Sequence, residues 1–153
     1  AIVKQQGSGQ KSVFVLNPDN TVSSKKNGNV SVPKNTLDIV SSLYQMRSNG
    51  FGNMKVNDTL TTTIFFGDEL FEFQVIYKGK EKVTTKLGTF RALKFQPVVE
   101  VGRVFRHEDD VNFWVSDDEN LLPLRAEFNV LIGSIKCDLL EYSGVKHPMA
   151  KVN

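Results

Sequence analysis

The residues best suited to chemistry stand four in a row: His107, Glu108, Asp109 and Asp110. Imidazole with carboxylates suits zinc or manganese. His107 with these neighbours, or His147 brought back by the C-terminal segment, would serve a hydrolase or a metal-dependent enzyme. Consecutive residues on a turn seldom converge on one ion, and a calcium loop needs ligands at alternating positions with a Gly at the bend, a pattern absent from this sequence. A solvated hairpin tip is the plainer reading. Asp117 and Asp118 follow Trp114-Val115-Ser116, with Asp109 and Asp110 at the far end of the same run. An intervening strand separates the two pairs by roughly 20 Å at ~3.3 Å per residue, too far for a glycosidase-type dyad. An Asx turn, in which a short carboxylate accepts backbone N–H groups, accounts better for Asp117 and Asp118.

Nucleophilic and phosphate chemistry find less support. No Gly-x-Ser-x-Gly elbow occurs, and Gly7-Ser8-Gly9 with Lys11-Ser12 misses the spacing of a phosphate-binding loop. Cys137 alternates with Ile135 and Leu139 in a strand pattern and reads as a small core residue, not a reactive thiol. Alternation places Trp114 on the face opposite Val111, Phe113 and Val115, where it packs or meets a partner. The eleven Phe residues fill a core or line a lipophilic cavity with equal ease.

Composition bounds the rest. A chain of 153 residues is the size of one domain with a real core, and the reading is a single domain over 1–153 with an irregular tail over 143–153. Nineteen basic residues against seventeen acidic ones leave a net charge of +2, a near-balance that does not imply nucleic acid. No apolar stretch approaches the ~20 residues of a membrane span. The lone cysteine excludes an intrachain disulfide and leaves a thiolate metal site without its usual partners. Ala1 stands where neither an initiator Met nor a basic, apolar leader is found, and the first ten residues begin inside what reads as a strand. The expectation is a processed chain whose sheet once extended further towards the N-terminus.

These residues sit on elements that the sequence marks. Lys11–Leu16 reads as a strand closed by Asn17-Pro18-Asp19-Asn20. Thr21–Lys34 is polar and reads as a loop with a loose hairpin at Asn27-Gly28. A helix follows over Asn35–Ser48, with Asn35 as N-cap, Asp38 three residues on, and Asn49-Gly50 as its stop. Leu37, Val40, Leu43, Tyr44 and Arg47 share one face of it. Strands then succeed one another. Thr61–Phe66 and Leu70–Tyr77 are joined at Gly67-Asp68, Lys78-Gly79-Lys80 turns into Glu81–Leu87, and Gly88 turns into Thr89–Val99. Val111–Ser116 follows the histidine tip. Leu122, Leu124, Ala126, Phe128 and Val130 form a dry stripe opposed by Pro123, Arg125, Glu127 and Asn129, and Gly133 reverses the chain into Ser134–Tyr142.

The helix NTLDIVSSLYQMR (with Asp38, Ser41, Leu43, Tyr44 and Arg47), the stretch VTTKLGTFRALKFQP and the hairpin FWVSDDENLLPLRAE (with Trp114, Ser116, Asp117, Asp118, Pro123 and Arg125) resemble the bacterial family called domain of unknown function 3108. The resemblance covers Asn35–Tyr142, and the hairpin motif is its most specific part. It implies an exported or periplasmic protein, an antiparallel sheet curved around a helix in the manner of the half-barrel of envelope lipoprotein carriers, and more strands before the helix than Lys11–Leu16 supplies. It implies no activity.

The expected fold is therefore mainly β (α+β), a curved antiparallel sheet or half-barrel packed on one helix. Leu43 and Tyr44 would meet Phe71, Phe73, Phe113 and Val115 along a groove for an apolar ligand or a partner. The function expected is that of a non-catalytic envelope domain without cofactor or metal. Its partners would be a lipid or other apolar ligand, or a protein chain at an open sheet edge.

Overall fold

The computed structural model describes residues 2–7, 10–24, 28–51, 53–66, 69–98, 107–130 and 133–152. The chain divides into two compact units, Ala1–Gly50 with Thr61–Phe73, and Phe51–Leu60 with Gln74–Asn153.

The first unit opens with β1 (Ile2–Gly7), β2 (Gln10–Leu16), β3 (Thr21–Ser24) and β4 (Gly28–Ser31), a four-stranded sheet in sequence order with every neighbour antiparallel. β2 is the expected strand, and its turn closes through Asn20 N–H to the Asn17 carbonyl at 3.2 Å, with Asn20 at φ 60°. The Asp19 carboxylate accepts from the Thr21 amide and hydroxyl at 3.2 and 2.7 Å, the bonding expected of a turn aspartate. Thr21–Lys34, read as a loop with a loose hairpin at Asn27-Gly28, holds the antiparallel pair β3 and β4, so the hairpin is present and is more regular than read. Val22, Val30 and Val32 alternate among Ser, Lys and Asn, and this sparse stripe packs with Phe65 into a small core. Asn27 lies outside the described residues.

The helix α1 spans Ile39–Asn49, not Asn35–Ser48. Its cap is Asp38, whose carboxylate accepts from the Ser41 amide at 3.0 Å and from the Ser41 hydroxyl. Asn35 stands outside it at φ 68°, beside the turn in which the Thr36 amide donates to the Pro33 carbonyl. Gly50 ends the helix at φ 71°, as expected. Leu37 is not helical either. It bridges Ile64 in parallel, donating to the Thr63 carbonyl at 3.4 Å and accepting from the Phe65 amide at 2.8 Å. Among the described side chains of α1, Ser42 and Met46, one turn apart, are buried, while Leu43 and Tyr44 are 39% and 61% exposed. The expected contact through Leu43 and Tyr44 is thus replaced by an inward face of Ser42 and Met46, the i and i+4 pair on another side of the cylinder.

β5 (Thr59–Phe66) and β6 (Glu69–Thr85) run through both units. The second unit adds β7 (Gly88–Pro97), β8 (Val111–Ser116), β9 (Pro123–Val130), β10 (Gly133–Asp138) and β11 (Lys151–Val152). The larger sheet has seven strands in the order β10-β9-β8-β7-β6-β5, with β11 on β7. It is open, ending at β10 and β5, and the chain is mainly β with one helix. The turn expected at Gly67-Asp68 lies outside the described residues.

Lys78-Gly79-Lys80 does not turn the chain. β6 is one strand of 17 residues, and its pairing with β7 slips between Tyr77 and Gly79. Gly79, at φ 105°, takes a backbone geometry that a Cβ disfavours. The extra residue reverses the alternation: Tyr77 pairs with Phe95, but Val83 pairs with Phe90. These two residues of equal parity consequently serve opposite faces. On one face Phe95 lies 5.4 Å from Tyr77, 5.3 Å from Phe113 and 4.6 Å from Phe51 between ring centroids. On the other, Val83, Phe90, Ala92, Trp114 and Leu124 form a buried cluster flanked by Leu87, Leu139 and Met149. Leu124 reaches this cluster through a second irregularity, because Trp114 pairs with Arg125 and Val115 with Pro123. The dry stripe predicted from Leu122 to Val130 is broken there, and Ala126, Phe128 and Val130 are only half-buried.

Candidate functional site

The His107 tip is a turn held by hydrogen bonds to its backbone. The Asp110 carboxylate accepts from the His107 amide at 2.8 Å, the Gln96 amide donates to the Glu108 carbonyl at 2.9 Å, and the Asn112 amide donates to the Asp109 carbonyl at 2.6 Å. Asp110 is buried, while His107, Glu108 and Asp109 are exposed. His147 pairs with the exposed carboxylate of Glu119 at 3.1 Å. Among the described residues, no group of three or more His, Cys, Asp or Glu is placed to hold a metal ion. Ser8 and Gly9 of the phosphate-loop fragment lie outside the described residues.

The strongest convergence of polar groups follows β8. Asp118 accepts three hydrogen bonds: from Ser116 Oγ at 3.0 Å, from the Asn120 amide at 2.9 Å, and from the Ala150 amide at 2.7 Å. Ser116 is fully buried, and its Oγ accepts from the Leu122 amide at 2.8 Å. The Asn120 side chain donates to the His147 carbonyl at 2.8 Å and accepts from the His147 amide at 3.1 Å. Of the Asx turn expected at Asp117 and Asp118, the Asp118 part is present and also clasps the C-terminal segment, whereas the Asp117 carboxylate accepts from the Lys80 ammonium at 3.0 Å. Beyond Asp117, whose amide donates to the Arg91 carbonyl at 3.0 Å, the chain leaves β7. Ala150 and β11 take its place, with the Arg91 amide donating to the Ala150 carbonyl at 2.8 Å and Lys151 opposite Phe90. The segment read as an irregular tail therefore closes with a short strand.

Arg125 forms a fork on Asp138 of the adjacent strand, Nε to Oδ1 at 2.6 Å and Nη2 to Oδ2 at 2.8 Å, and Nη2 also reaches the Thr84 carbonyl at 2.9 Å. The Arg125 guanidinium holds the Asp138 carboxyl below its ordinary range, and the same hydrogen bonding raises Arg125. Trp114 is 6% exposed inside its cluster, with its indole N–H on Glu81 and the Lys94 ammonium 5.2 Å from its ring centroid. The packing reading of Trp114 holds. Its partner Glu81 and Arg125's partner Thr84 both lie on β6, across intervening strands.

The residues expected to line an apolar groove fall in different surroundings. Leu43 and Tyr44 are exposed on α1, with the Arg47 guanidinium 5.9 Å from the Tyr44 ring. Phe71 is exposed and Phe73 half-buried on β6, all four belonging to the first unit. Phe113 and Val115 are interior residues of the second unit, Phe113 stacked on Phe95 and Val115 buried. Sequence reasoning missed Phe66 and Leu70, which are also exposed in the first unit. The signal was the density of Phe and Leu around Gly67-Asp68. It also placed Cys137 in the core, whereas the thiol is exposed, because β10 is an edge strand and its outward-facing side chains are uncovered.

The chain matches the sequence profile of a protein family of unknown function, DUF3108, over residues 5–140, and it belongs to that family. The match takes in part of β1 and all of β2 as well as the helix and the Trp114–Arg125 hairpin, and among the described residues four strands precede the helix, more than Lys11–Leu16 alone, as the resemblance implies. No curated protein and no solved structure gives a significant match to the chain. In the structure, the motif residues Trp114, Ser116, Asp118 and Arg125 secure a core, a turn and a strand pair.

Proposed function

We propose that the chain is a non-catalytic, exported module of the bacterial envelope that takes up an apolar ligand, a lipid acyl chain in the first instance, on its first unit. The observation that carries this reading is the exposure of five large apolar side chains in that unit: Leu43 and Tyr44 on α1, Phe66 on β5, and Leu70 and Phe71 on β6. Water contact at such groups is costly, and contiguous apolar patches on soluble proteins mark places where something binds. Two of the five, Leu43 and Tyr44, stand in the helix motif through which the sequence resembles its family. Export and the periplasm rest on the bacterial resemblance.

Protein purified without detergent and sprayed under native conditions is expected to carry an adduct of lipid mass. A fluorescent long-chain fatty-acid probe is expected to bind, and the double variant Tyr44→Ser, Phe71→Ser to weaken it about tenfold or more, since each buried aromatic contributes about 1.5–3 kcal/mol and 1.4 kcal/mol is a factor of ten. A chain that binds no probe and carries no adduct refutes ligand uptake. Cell fractionation tests location, and retention in the cytoplasm refutes export.

A further inference from the structure

We infer that β10 is a self-pairing edge, on which a second copy of this chain adds its own β10 antiparallel across a two-fold axis. Among the described residues, β10 is hydrogen-bonded on one side only, to β9, and residues 133–137 are exposed. The phase of the free side follows from one bond. The Leu139 amide donates to the Leu124 carbonyl at 2.9 Å, continuing the register in which Cys137 faces Ala126 and Ile135 faces Phe128. Backbone groups alternate in direction along an antiparallel strand, so those of Ser134, Lys136 and Asp138 point away from β9, to the open edge.

Charge selects both the partner and the register. On β10, Asp138 stands opposite Arg125 and Lys136 opposite Glu127, with ion pairs at 2.6 and 3.4 Å. Place Lys136 of one copy opposite Asp138 of the other, and the outward backbone groups meet as hydrogen-bonded pairs. A row then reads Arg125, Asp138, Lys136, Glu127 across four strands and two chains, with signs alternating, and the two-fold repeats the row in reverse. A shift of one step either way sets Lys136 against Lys136 or Asp138 against Asp138, which is repulsive. An edge lysine ordinarily discourages pairing with an arbitrary strand. Here it admits the chain's own copy while opposing others, specificity by repulsion as well as attraction. In this register the two Cys137 residues form the central non-hydrogen-bonded pair, with Cα atoms about 4.5 Å apart, inside the range a disulfide spans. A pair of six-residue strands is a small interface, so the association is reversible and concentration-dependent.

Light scattering and sedimentation of the full chain over a range of concentrations are expected to show a mass rising from one chain towards two. Diamide, reduced to its hydrazine as it takes the two thiol hydrogens, is expected to give a disulfide-linked dimer that Cys137→Ser abolishes while leaving the reversible dimer intact. Lys136→Pro removes only an outward N–H and a charge, and is expected to hold the mass at one chain. Lys136→Glu, which sets two acids face to face, is expected to do the same, with circular dichroism of both variants checking the fold. A chain that stays monomeric at its highest soluble concentration, or a dimer that survives both Lys136 variants and does not cross-link through Cys137, overturns the inference. Neither result bears on ligand uptake by the first unit.

Discussion

Asp118 gathers donors from its own turn and from the C-terminal segment 32 residues away. Truncation to Asp118→Ala leaves the Ser116 hydroxyl and the Asn120 and Ala150 amides to find new partners, and is expected to lower stability by about 2–4 kcal/mol in urea unfolding, since bonds to a charged acceptor are among the stronger ones. A loss under about 0.5 kcal/mol, the usual size for a plain surface substitution, would show that the clasp is idle. Asp138 gives a second expectation, in pH. Its carboxyl is held below the ordinary range by Arg125, so the pair stabilises the fold fully above about pH 4 and is withdrawn as pH falls through that value towards the lowered one. The melting temperature of Asp138→Asn should trail wild type most at neutral pH and converge on it only as pH falls below about 4, through the lowered value; parallel curves would deny the pair its role. At this scale the sequence was a partial guide. Trp114, Ser116, Asp118 and Arg125 stood out as a block and the Asx turn at Asp118 was legible, because turn chemistry is local. The hold on Ala150, the fork to Asp138 and the reach of Trp114 to Glu81 were not, since each depends on strands brought together from far apart in the chain.

Elements were legible where their pattern is regular and misread where one residue breaks it. The strand β2, the stop of α1 at Gly50 and the reversals at Gly88 and Gly133 follow from alternation and from glycine's backbone freedom. Lys78-Gly79-Lys80 has the composition of a turn, and only the partner strand shows it to be a bulge. The cap of α1 was displaced by three residues because Asn35-x-x-Asp38 and Asp38-x-x-Ser41 offer the same spacing, and Leu37 was lost to the helix by its bridge to Ile64. Gly79→Ala puts a Cβ at φ 105° and 3.3 Å from a Val56 methyl, and is expected to cost about 1–3 kcal/mol. Deleting Lys78 removes the extra residue and leaves Tyr77 opposite Phe95 and Val83 opposite Phe90 in an unbroken ladder, and is expected to cost less than Gly79→Ala; a urea midpoint that falls further on the deletion would show that the slip itself is needed.

For the molecule as a whole, the class was legible. Alternating Phe, Val and Leu between turn signals gave a mainly antiparallel protein with one helix, and the family match over residues 5–140 accords with it. β5 and β6 each contribute residues to both compact units, and no change of composition marks that passage. The tail lacks periodicity in sequence because its order comes from Asp118, Asn120 and β7. Placement of the chain's one Trp has a practical consequence. The indole sits in the interior of the second unit, so its emission is a private reporter of that unit, blue while the cluster is dry and red once water enters. A substitution in the other unit, such as Asp38→Ala at the helix cap, can be followed by far-ultraviolet dichroism against this fixed optical channel. The indole midpoint then reports whether such a substitution is felt in the second unit at all.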